Sequence, residues 1–375
     1  MSSVSIKPTR KPYKPRKNLH RRIGPKPQRK QKIVKPRVPL IVVANLDATN
    51  SPEPSDKFNK GLRACITFEQ VEALLLKWRE TFNRKAWRGV ARRKVSEVRK
   101  EILKALLYEV GATSTPALTS HLICNEAFKH VRSRLVAYAL ADPEMEMVLV
   151  TVICGTGATS HYTPVIELFE SQRRVQVTAR AISPDFIGVT ELALFNSHTH
   201  PSGGQLVQRH EHILIWGKGV VVKARELATK HEKRFEPNLT GAPTINVKRV
   251  ATDPVNLARV AAYLFKPPYK CKTWNPPKDG KPGHMSGSEK GDRGTRYLRL
   301  AQLRSMMTVE QVTFGGGDGQ SIRSDLIKFL RALATKEAAG GKRMLHPDAI
   351  ASFWVELAKE INAHRWALPI IRTQR

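Results

Sequence analysis

Three apolar segments rich in β-branched residues, all between positions 146 and 217, constrain the fold of this chain more than any other feature. They are residues 146–153 (EMVLVTVI), 186–195 (FIGVTELALF) and 210–217 (HEHILIWG), and each has the length and composition of a β-strand. A helical pattern occupies residues 163–181, and a second one occupies residues 253–265, capped by Asp253 with Pro254 in its first turn. The order β–α–β–β–α predicts a small α+β fold with an antiparallel sheet and flanking helices.

Helical patterns flank this central region on both sides. On the N-terminal side, Thr67 and Gln70 form a capping-box motif before a first helix, and a second, basic helix is expected over residues 84–108. On the C-terminal side, residues 295–306, 321–336 and 348–363 show helical periodicity. We therefore expect helical extensions at both ends of the sheet-containing core.

Composition shifts divide the chain into five predicted segments. Residues 1–38 are expected to form a disordered basic arm, residues 39–140 a helical region and residues 141–275 the sheet-containing core. Residues 276–294, within the stretch NPPKDGKPGHMSGSEKGDRG, have the composition of a linker, and residues 295–375 form a C-terminal helical region.

The charge of the chain favours a polyanionic partner. Lys and Arg total 64 against 32 acidic residues, a formal net charge of +32, and residues 1–38 contain fourteen Lys or Arg and no acid. Each phosphate contact releases condensed counterions, so such a surplus favours nucleic acid, with an acidic membrane surface as the alternative. On the helical flank, Arg88, Arg92, Arg93 and Lys94 are candidate DNA contacts, although a solvated helix surface has the same pattern.

Other function classes receive no support from the sequence. No segment has the roughly 20 apolar residues that span a bilayer, and no signal-peptide pattern is present. The four cysteines are scattered without a CxxC pair, which favours neither a zinc ribbon nor a disulfide framework. We therefore expect no membrane partner and a cytoplasmic location.

The HEH tripeptide is a candidate metal site. His210 and His212 are two apart on a predicted strand, so both imidazoles point to the same face, with Cα atoms about 7 Å apart. Glu191, an acid in an otherwise apolar strand, is the natural third ligand, because a buried carboxylate needs a partner. A pair of surface histidines, and a salt bridge from Glu191 to an arginine, are the alternatives.

Tyr263 and Lys266 are the candidate catalytic pair. Three positions separate them in the helix ending AAYLFK, so they share a helical face one turn apart. A phenol has a pKa near 10 and needs a nearby cation to act as a nucleophile, which Lys266 and a divalent metal would supply. An ordinary packing tyrosine is the alternative. Tyr269 follows the Pro267-Pro268 break, so a single nucleophile is expected.

Two further motifs are alternative candidates for a metal site and a nucleotide site. His198 and His200 (HTH) have the same spacing as the later pair, but they adjoin a Pro-Ser-Gly-Gly stretch typical of a turn. Residues 314–320 (FGGGDGQ) resemble a phosphate-binding loop but lack the GxxxxGK[ST] order, which favours a flexible turn before a helix capped by Ser321.

Residues 145–275 resemble the HUH endonucleases, and more closely the rolling-circle replication initiators of bacterial plasmids and related elements. The resemblance places the metal-binding histidines at His210 and His212, the nucleophile at Tyr263 and the accompanying lysine at Lys266. Glu211 departs from the pattern, because the middle residue is usually apolar. The resemblance implies an HUH-type, ferredoxin-like core and a divalent metal, usually Mg²⁺ or Mn²⁺.

The activity implied by the resemblance is nicking of single-stranded origin DNA. The tyrosine becomes linked to the 5′-phosphate, and the free 3′-OH primes synthesis. Lys270 and Lys272 would follow the phosphates near the scissile bond, and a host helicase and polymerase would be partners in a bacterial cytoplasm. A single-strand transposase or relaxase of the same superfamily, or a DNA-binding protein without catalysis, are the alternatives.

Overall fold

The computed structural model describes residues 60–91, 93–108, 117–231, 234–241, 243–268, 271–275, 278, 284–288, 294–339 and 345–373. These residues lie within one compact unit, Pro52–Arg375. The arm predicted at residues 1–38 lies outside the described residues.

Ten β-strands are present among the described residues. They are β1 (Glu146–Val152), β2 (Ala158–Ser160), β3 (Val165–Glu167), β4 (Phe186–Thr199), β5 (Gln205–Gly217), β6 (Ile245–Val250), β7 (Cys271–Asn275), β8 (His284–Ser288), β9 (Thr313–Gly316) and β10 (Ile370–Arg372).

Eleven α-helices accompany them in the same part of the chain. They are α1 (Lys60–Arg63), α2 (Phe68–Ala91), α3 (Glu97–Tyr108), α4 (His121–Ala141), α5 (Phe169–Ile182), α6 (Val220–His231), α7 (Pro254–Leu264), α8 (Gly294–Ser305), α9 (Val309–Val312), α10 (Asp318–Ala339) and α11 (Pro347–Glu360).

Eight of the described strands form one mostly antiparallel sheet. Its order is β6-β1-β5-β4-β7-β8, with β2 paired to β5 and β9 paired to β4. Only the short contact of β4 with β7 is parallel among the pairings in this sheet, and β3 and β10 form a separate parallel pair. The predicted α+β class with an antiparallel sheet is confirmed.

Helices cover both faces of the sheet. Because successive strand residues point to opposite faces, each central strand contributes buried side chains to both helical layers. On one face, Leu149 and Leu214 belong to a large buried cluster with residues of α2, α4, α7 and α8. On the other, Val150 and Ile213 pack with buried residues of α5 and α6. The large cluster extends from Leu62 to Ile361, so the helical flanks share a core with the sheet.

The long β4–β5 hairpin corrects the strand boundaries expected from the sequence. β4 continues to Thr199 and β5 begins at Gln205, whereas apolar patterning ended the one at 195 and began the other at 210. His198 therefore lies in a strand and not in a turn. The backbone pairs Thr199 with Gln205, and Gly203 and Gly204 close the hairpin with φ of 85° and 78°. Backbone ladder bonds, which need no apolar side chains, extend the hairpin.

Several other elements differ from the prediction. The expected helix over 84–108 is two helices, because the buried stripe of α2 continues through Phe82, Ala86 and Val90 before the chain turns ahead of α3. The helix expected from 163 begins at Phe169, since β3 precedes it. Within the expected linker, β8 pairs antiparallel with β7.

The glycine-rich segment at 314–320 is also corrected, because residues up to Gly316 form strand β9 along β4 and α10 begins at Asp318. A Cβ at Gly319 would lie 1.8 Å from the Phe186 carbonyl oxygen. The glycines therefore permit close backbone packing. Across the described part of the chain, we find no helix whose length and apolar character would let it cross a membrane.

Candidate metal centre

Glu191, His210 and His212 converge on one face at the centre of the sheet. The antiparallel register places Glu191 of β4 directly opposite His210 of β5, with His212 two residues farther along. One ligand atom from each residue lies within 4.8 Å of the other two, and all three side chains are buried. The period-two spacing therefore produces the convergence expected from the sequence, and the group could bind a metal ion.

Two hydrogen bonds orient the His212 ring. Its Nε2 lies 2.8 Å from Glu191 Oε2, and its Nδ1 lies 3.0 Å from the Thr151 hydroxyl oxygen. With Nε2–H donating to the carboxylate, Nδ1 accepts from Thr151. If Nε2 instead bound a cation, the hydroxyl could accept from Nδ1–H, which is the outer-shell arrangement common at metal-bound histidines. Sequence reasoning missed Thr151, whose only signal was a hydroxyl in an apolar strand.

The polar atoms of this group fit a cation. Glu191 Oε1 and His210 Nε2 are buried and have no hydrogen-bond partner within the described chain. Buried polar atoms are normally paired, so an orphaned carboxylate oxygen beside an orphaned imidazole nitrogen calls for a ligand. Two imidazoles and one carboxylate match the facial donor set of divalent transition metals. The three residues therefore satisfy the donor requirements of such a site.

Lys266 also reaches the carboxylate. Its Nζ donates to Glu191 Oε2 and lies 3.8 Å from the centroid of the Tyr263 ring. The expectation that Lys266 shares a helical face with Tyr263 is wrong, because α7 ends at Leu264 and Phe265 is its C-cap. The turn after the helix nevertheless returns the ammonium group to the site. Among the described residues, the salt bridge considered for Glu191 is formed with a lysine and not with an arginine.

Tyr263 lies against the histidines. Its ring meets that of His212 edge to face, with centroids 4.9 Å apart and an interplanar angle of 71°. Burial raises the pKa of the Tyr263 phenol to about 12, although the positive charge of Lys272 opposes this shift. The structure therefore brings the predicted tyrosine to the predicted metal group, with its phenol protonated at neutral pH.

Burial sets the protonation state of the two histidines, and neighbouring groups set that of the carboxylate. It lowers the pKa of His210 to about 3 and, together with the Lys266 charge, that of His212 to about 4, so both rings are neutral at pH 7. Burial would raise the pKa of Glu191, but the Lys266 ammonium and His212 outweigh it and hold that pKa well below its usual value. An ionised carboxylate and two neutral imidazoles are the forms that bind metals.

Glu211, the residue between the histidines, is buried on the opposite face of β5. Its Oε1 accepts hydrogen bonds from Arg209 Nε and the Ser171 hydroxyl, each at 2.6 Å. Ser171 belongs to α5, the helix that covers this face. The acidic middle residue is thus accommodated by a buried ion pair, and the orientation of the histidines is unaffected.

The predicted DNA contacts are dispersed. Lys272 lies on β7, opposite Phe195 of β4, and its charge acts on Tyr263 and the histidines. Arg88 is exposed at the end of α2, and Arg93 and Lys94 are exposed in the turn that follows. Lys270 and Arg92 lie outside the described residues.

Comparison with known proteins adds no relative to this description. No protein-family model, no curated protein and no solved structure matches the chain. The fold and the site therefore define an α+β protein with a buried Glu–His–His group that could hold a metal ion.

Proposed function

We propose that the chain is a metal-dependent endonuclease of the HUH type that nicks single-stranded DNA through Tyr263. One observation carries the proposal: the tyrosine ring contacts His212, a member of a buried group suited to a cation. A structural tyrosine needs no such neighbours. The net charge of +32 supports a nucleic-acid substrate.

The residues would divide the reaction between them. Glu191, His210 and His212 would hold a divalent cation, which supplies positive charge to the scissile phosphate when bound. The Tyr263 oxygen forms a bond to phosphorus, and the bond from phosphorus to the 3′ oxygen breaks. The phenol proton passes to solvent, and the leaving 3′ oxygen takes up a proton. The products are a 5′-phosphotyrosine and a free 3′-OH.

Lys272 and Lys266 would assist by charge. Lys272 lowers the cost of ionising Tyr263, which burial has raised. Lys266 neutralises Glu191 in the metal-free site, and its ammonium lies beside the phenol ring. Between the two metals that the resemblance implies, Mn²⁺ is favoured, because Mg²⁺ prefers oxygen ligands over imidazole.

Within this class, a rolling-circle replication initiator is the proposed role. The tyrosine follows the histidines in the chain, whereas relaxases usually place it before them. Extensive helical flanks, beyond what short transposases carry, would bind the origin. A host helicase and polymerase would complete replication in a bacterial cytoplasm.

A DNA-binding protein without nuclease activity is the second candidate. The specific observation in its favour is the Lys266–Glu191 ion pair, which already compensates the carboxylate without any metal. Metal-dependent cleavage separates the candidates, because a binder would shift DNA in gels but leave it intact in every metal.

The deciding experiment detects the covalent intermediate. The full chain is incubated with Mn²⁺ and single-stranded oligonucleotides tiled across the DNA flanking its gene, labelled at either end. We expect the 3′-labelled fragment to migrate with the denatured protein, while the 5′-labelled fragment is released with a 3′-OH. Tyr263→Phe should lose the adduct and retain the fold. An adduct that survives in Tyr263→Phe would refute the assignment of the nucleophile, and intact DNA in every metal would favour the binder.

A further inference from the structure

A polar cleft with a volume of about 550 Å³ shares no lining residue with the metal centre. Five parts of the chain form its walls: the turn after α2, the turn after β2, the start of β5, the start of α8 and the turn after α11. Tyr162 and Trp366 contribute aromatic rings, and both are only partly buried. The cleft is large enough for one or two nucleotides, since ligand pockets typically measure about 300–1,000 Å³.

The aromatic walls are held in place by a buried arginine. Arg299 donates from Nε to the His161 carbonyl at 2.7 Å, and from Nη2 to the carbonyls of Tyr162 and Ala367 at 3.1 and 2.8 Å. The Ala367 N–H donates back to the Tyr162 carbonyl at 2.9 Å. The guanidinium therefore ties two distant segments into one preformed surface, which lowers the entropic cost of binding a ligand.

The cleft is positively charged. Arg93, Arg296 and Arg365 line it, and no acidic side chain is found among the described residues of its lining. His364 and Arg365 are exposed, in the turn after α11. Asn362 opens that turn in the left-handed region, with φ of 55°, and Ala363 N–H bonds back to the Ala358 carbonyl at 2.8 Å. This helix C-cap directs the basic segment toward the cleft.

The His161 and Tyr162 rings are neighbours in the cleft, with their planes tilted by 36°. The centroids of His161 and Tyr162 lie 4.2 Å apart, and the Arg365 guanidinium carbon lies 5.7 Å from the Tyr162 centroid. His161 accepts a hydrogen bond at Nδ1 from the Gln205 N–H at 2.6 Å. Burial and the Arg299 charge lower the pKa of His161 to about 4, so the neutral ring carries its proton on Nε2 and can donate to a base or sugar.

We propose that this cleft is a binding site for a segment of single-stranded DNA, with bases stacked on Tyr162 and Trp366 and phosphates bound by the arginines. Aromatic faces combined with basic side chains are the features that single-strand binding surfaces share, whereas duplex DNA hides its base faces. Gln205 precedes His210 by five positions on β5, which is about 17 Å along the strand. Because five is an odd number of positions, the Gln205 side chain points to the sheet face opposite the histidines. Binding in the cleft requires neither metal nor Tyr263.

The test measures binding without cleavage. Fluorescence anisotropy of a labelled single strand of about 12 nucleotides, a length that single-strand sites cover, is followed with the full chain in EDTA at several salt concentrations. We expect Trp366→Ala to weaken binding on the order of 10- to 100-fold, and Trp366→Phe to retain most of it. The slope of the logarithm of the binding constant against the logarithm of the salt concentration, here called the salt slope, reports the number of phosphate contacts. Arg365→Gln should reduce its magnitude by about 0.7, the value for one single-strand phosphate contact.

Arg225→Gln, at an exposed position on α6, is the matched control for lost charge and should leave the salt slope unchanged. Circular dichroism verifies that each variant is folded. Photocrosslinking with bromodeoxyuridine should modify Tyr162 or Trp366. Unchanged affinity in folded Trp366→Ala, equal affinity for duplex DNA, or crosslinks confined to other segments would each overturn the proposal. Because EDTA prevents metal-dependent cleavage, the result is independent of the proposed nicking activity.

Discussion

Lys266 and His212 share one acceptor, because the Lys266 ammonium donates to Glu191 Oε2 and His212 Nε2 lies 2.8 Å from that same oxygen. The other carboxylate oxygen has no hydrogen-bond partner in the described structure. The site therefore holds an internal cation on one side of the carboxylate and leaves the other side for a ligand. This division has consequences for stability, for metal binding and for the response to pH.

Removal of the internal cation should destabilise the metal-free protein. Lys266→Met leaves the buried Glu191 carboxylate without its counter-ion, which typically costs about 3–5 kcal/mol. Urea unfolding in EDTA measures the loss, and adding Glu191→Gln should recover most of it. The exposed Arg331–Glu310 pair is the control, since Arg331→Met should cost less than about 1 kcal/mol. An equal cost for the two single variants would contradict the importance of the buried pair.

Mn²⁺ binding should depend on the histidine pair His210 and His212 and not on the rival pair His198 and His200. His210→Ala removes a proposed ligand, and Thr151→Val removes only the hydroxyl that orients His212, which typically costs about 10- to 100-fold in affinity. We expect a larger loss for His210→Ala than for Thr151→Val in calorimetric titrations. His198→Ala, from the rival pair, serves as the control. If His198→Ala weakened binding as much as His210→Ala, the metal would lie elsewhere.

The metal-free protein should lose stability as the pH falls below about 6.5. The folded pKa of His210 is about 3, below the unfolded value near 6.5, so in this window the unfolded chain binds the proton and the folded chain does not. Each such histidine costs about 1.4 kcal/mol per pH unit, present until the pH reaches the folded pKa. The free energy of unfolding can be measured with urea at several pH values between 7.5 and 4.5. Below pH 6.5, it should fall less steeply with pH in His210→Gln than in the unaltered chain, by about this amount per pH unit.

The group of Glu191, His210 and His212 could be predicted from the sequence because strand periodicity is local. Two histidines two positions apart must share a face, and an acid in an apolar strand needs a partner, so Glu191, His210 and His212 were identified without knowledge of the register. The position of Tyr263 followed from the resemblance and the helix. Lys266 was identified for the wrong reason, because the helix ends before it.

Long-range packing could not be predicted in the same way. Phe82 of α2 and Tyr297 of α8 meet with ring centroids 6.0 Å apart, although each helix alone shows only that it has an apolar side. The polar ends of β4 and β5 were missed, since backbone hydrogen bonds extend the hairpin without an apolar pattern. Tyr162 and Trp366 are brought together by Arg299 and by the Ala367 N–H, contacts that no local spacing encodes.

The hairpin glycines offer a test that connects the fold to the proposed single-strand cleft. Both Gly203 and Gly204 have positive φ, so an alanine at either position costs about 1–2 kcal/mol of backbone strain. A Cβ at Gly203 would meet open space, whereas a Cβ at Gly204 would lie 2.7 Å from a Tyr162 ring carbon. We therefore expect Gly204→Ala to be the less stable variant in urea unfolding. It should also weaken single-strand binding, because the displaced Tyr162 ring no longer presents its stacking face, while Gly203→Ala should bind as the unaltered chain does. Equal oligonucleotide affinity in the two variants would show that the Tyr162 ring has no part in holding the strand.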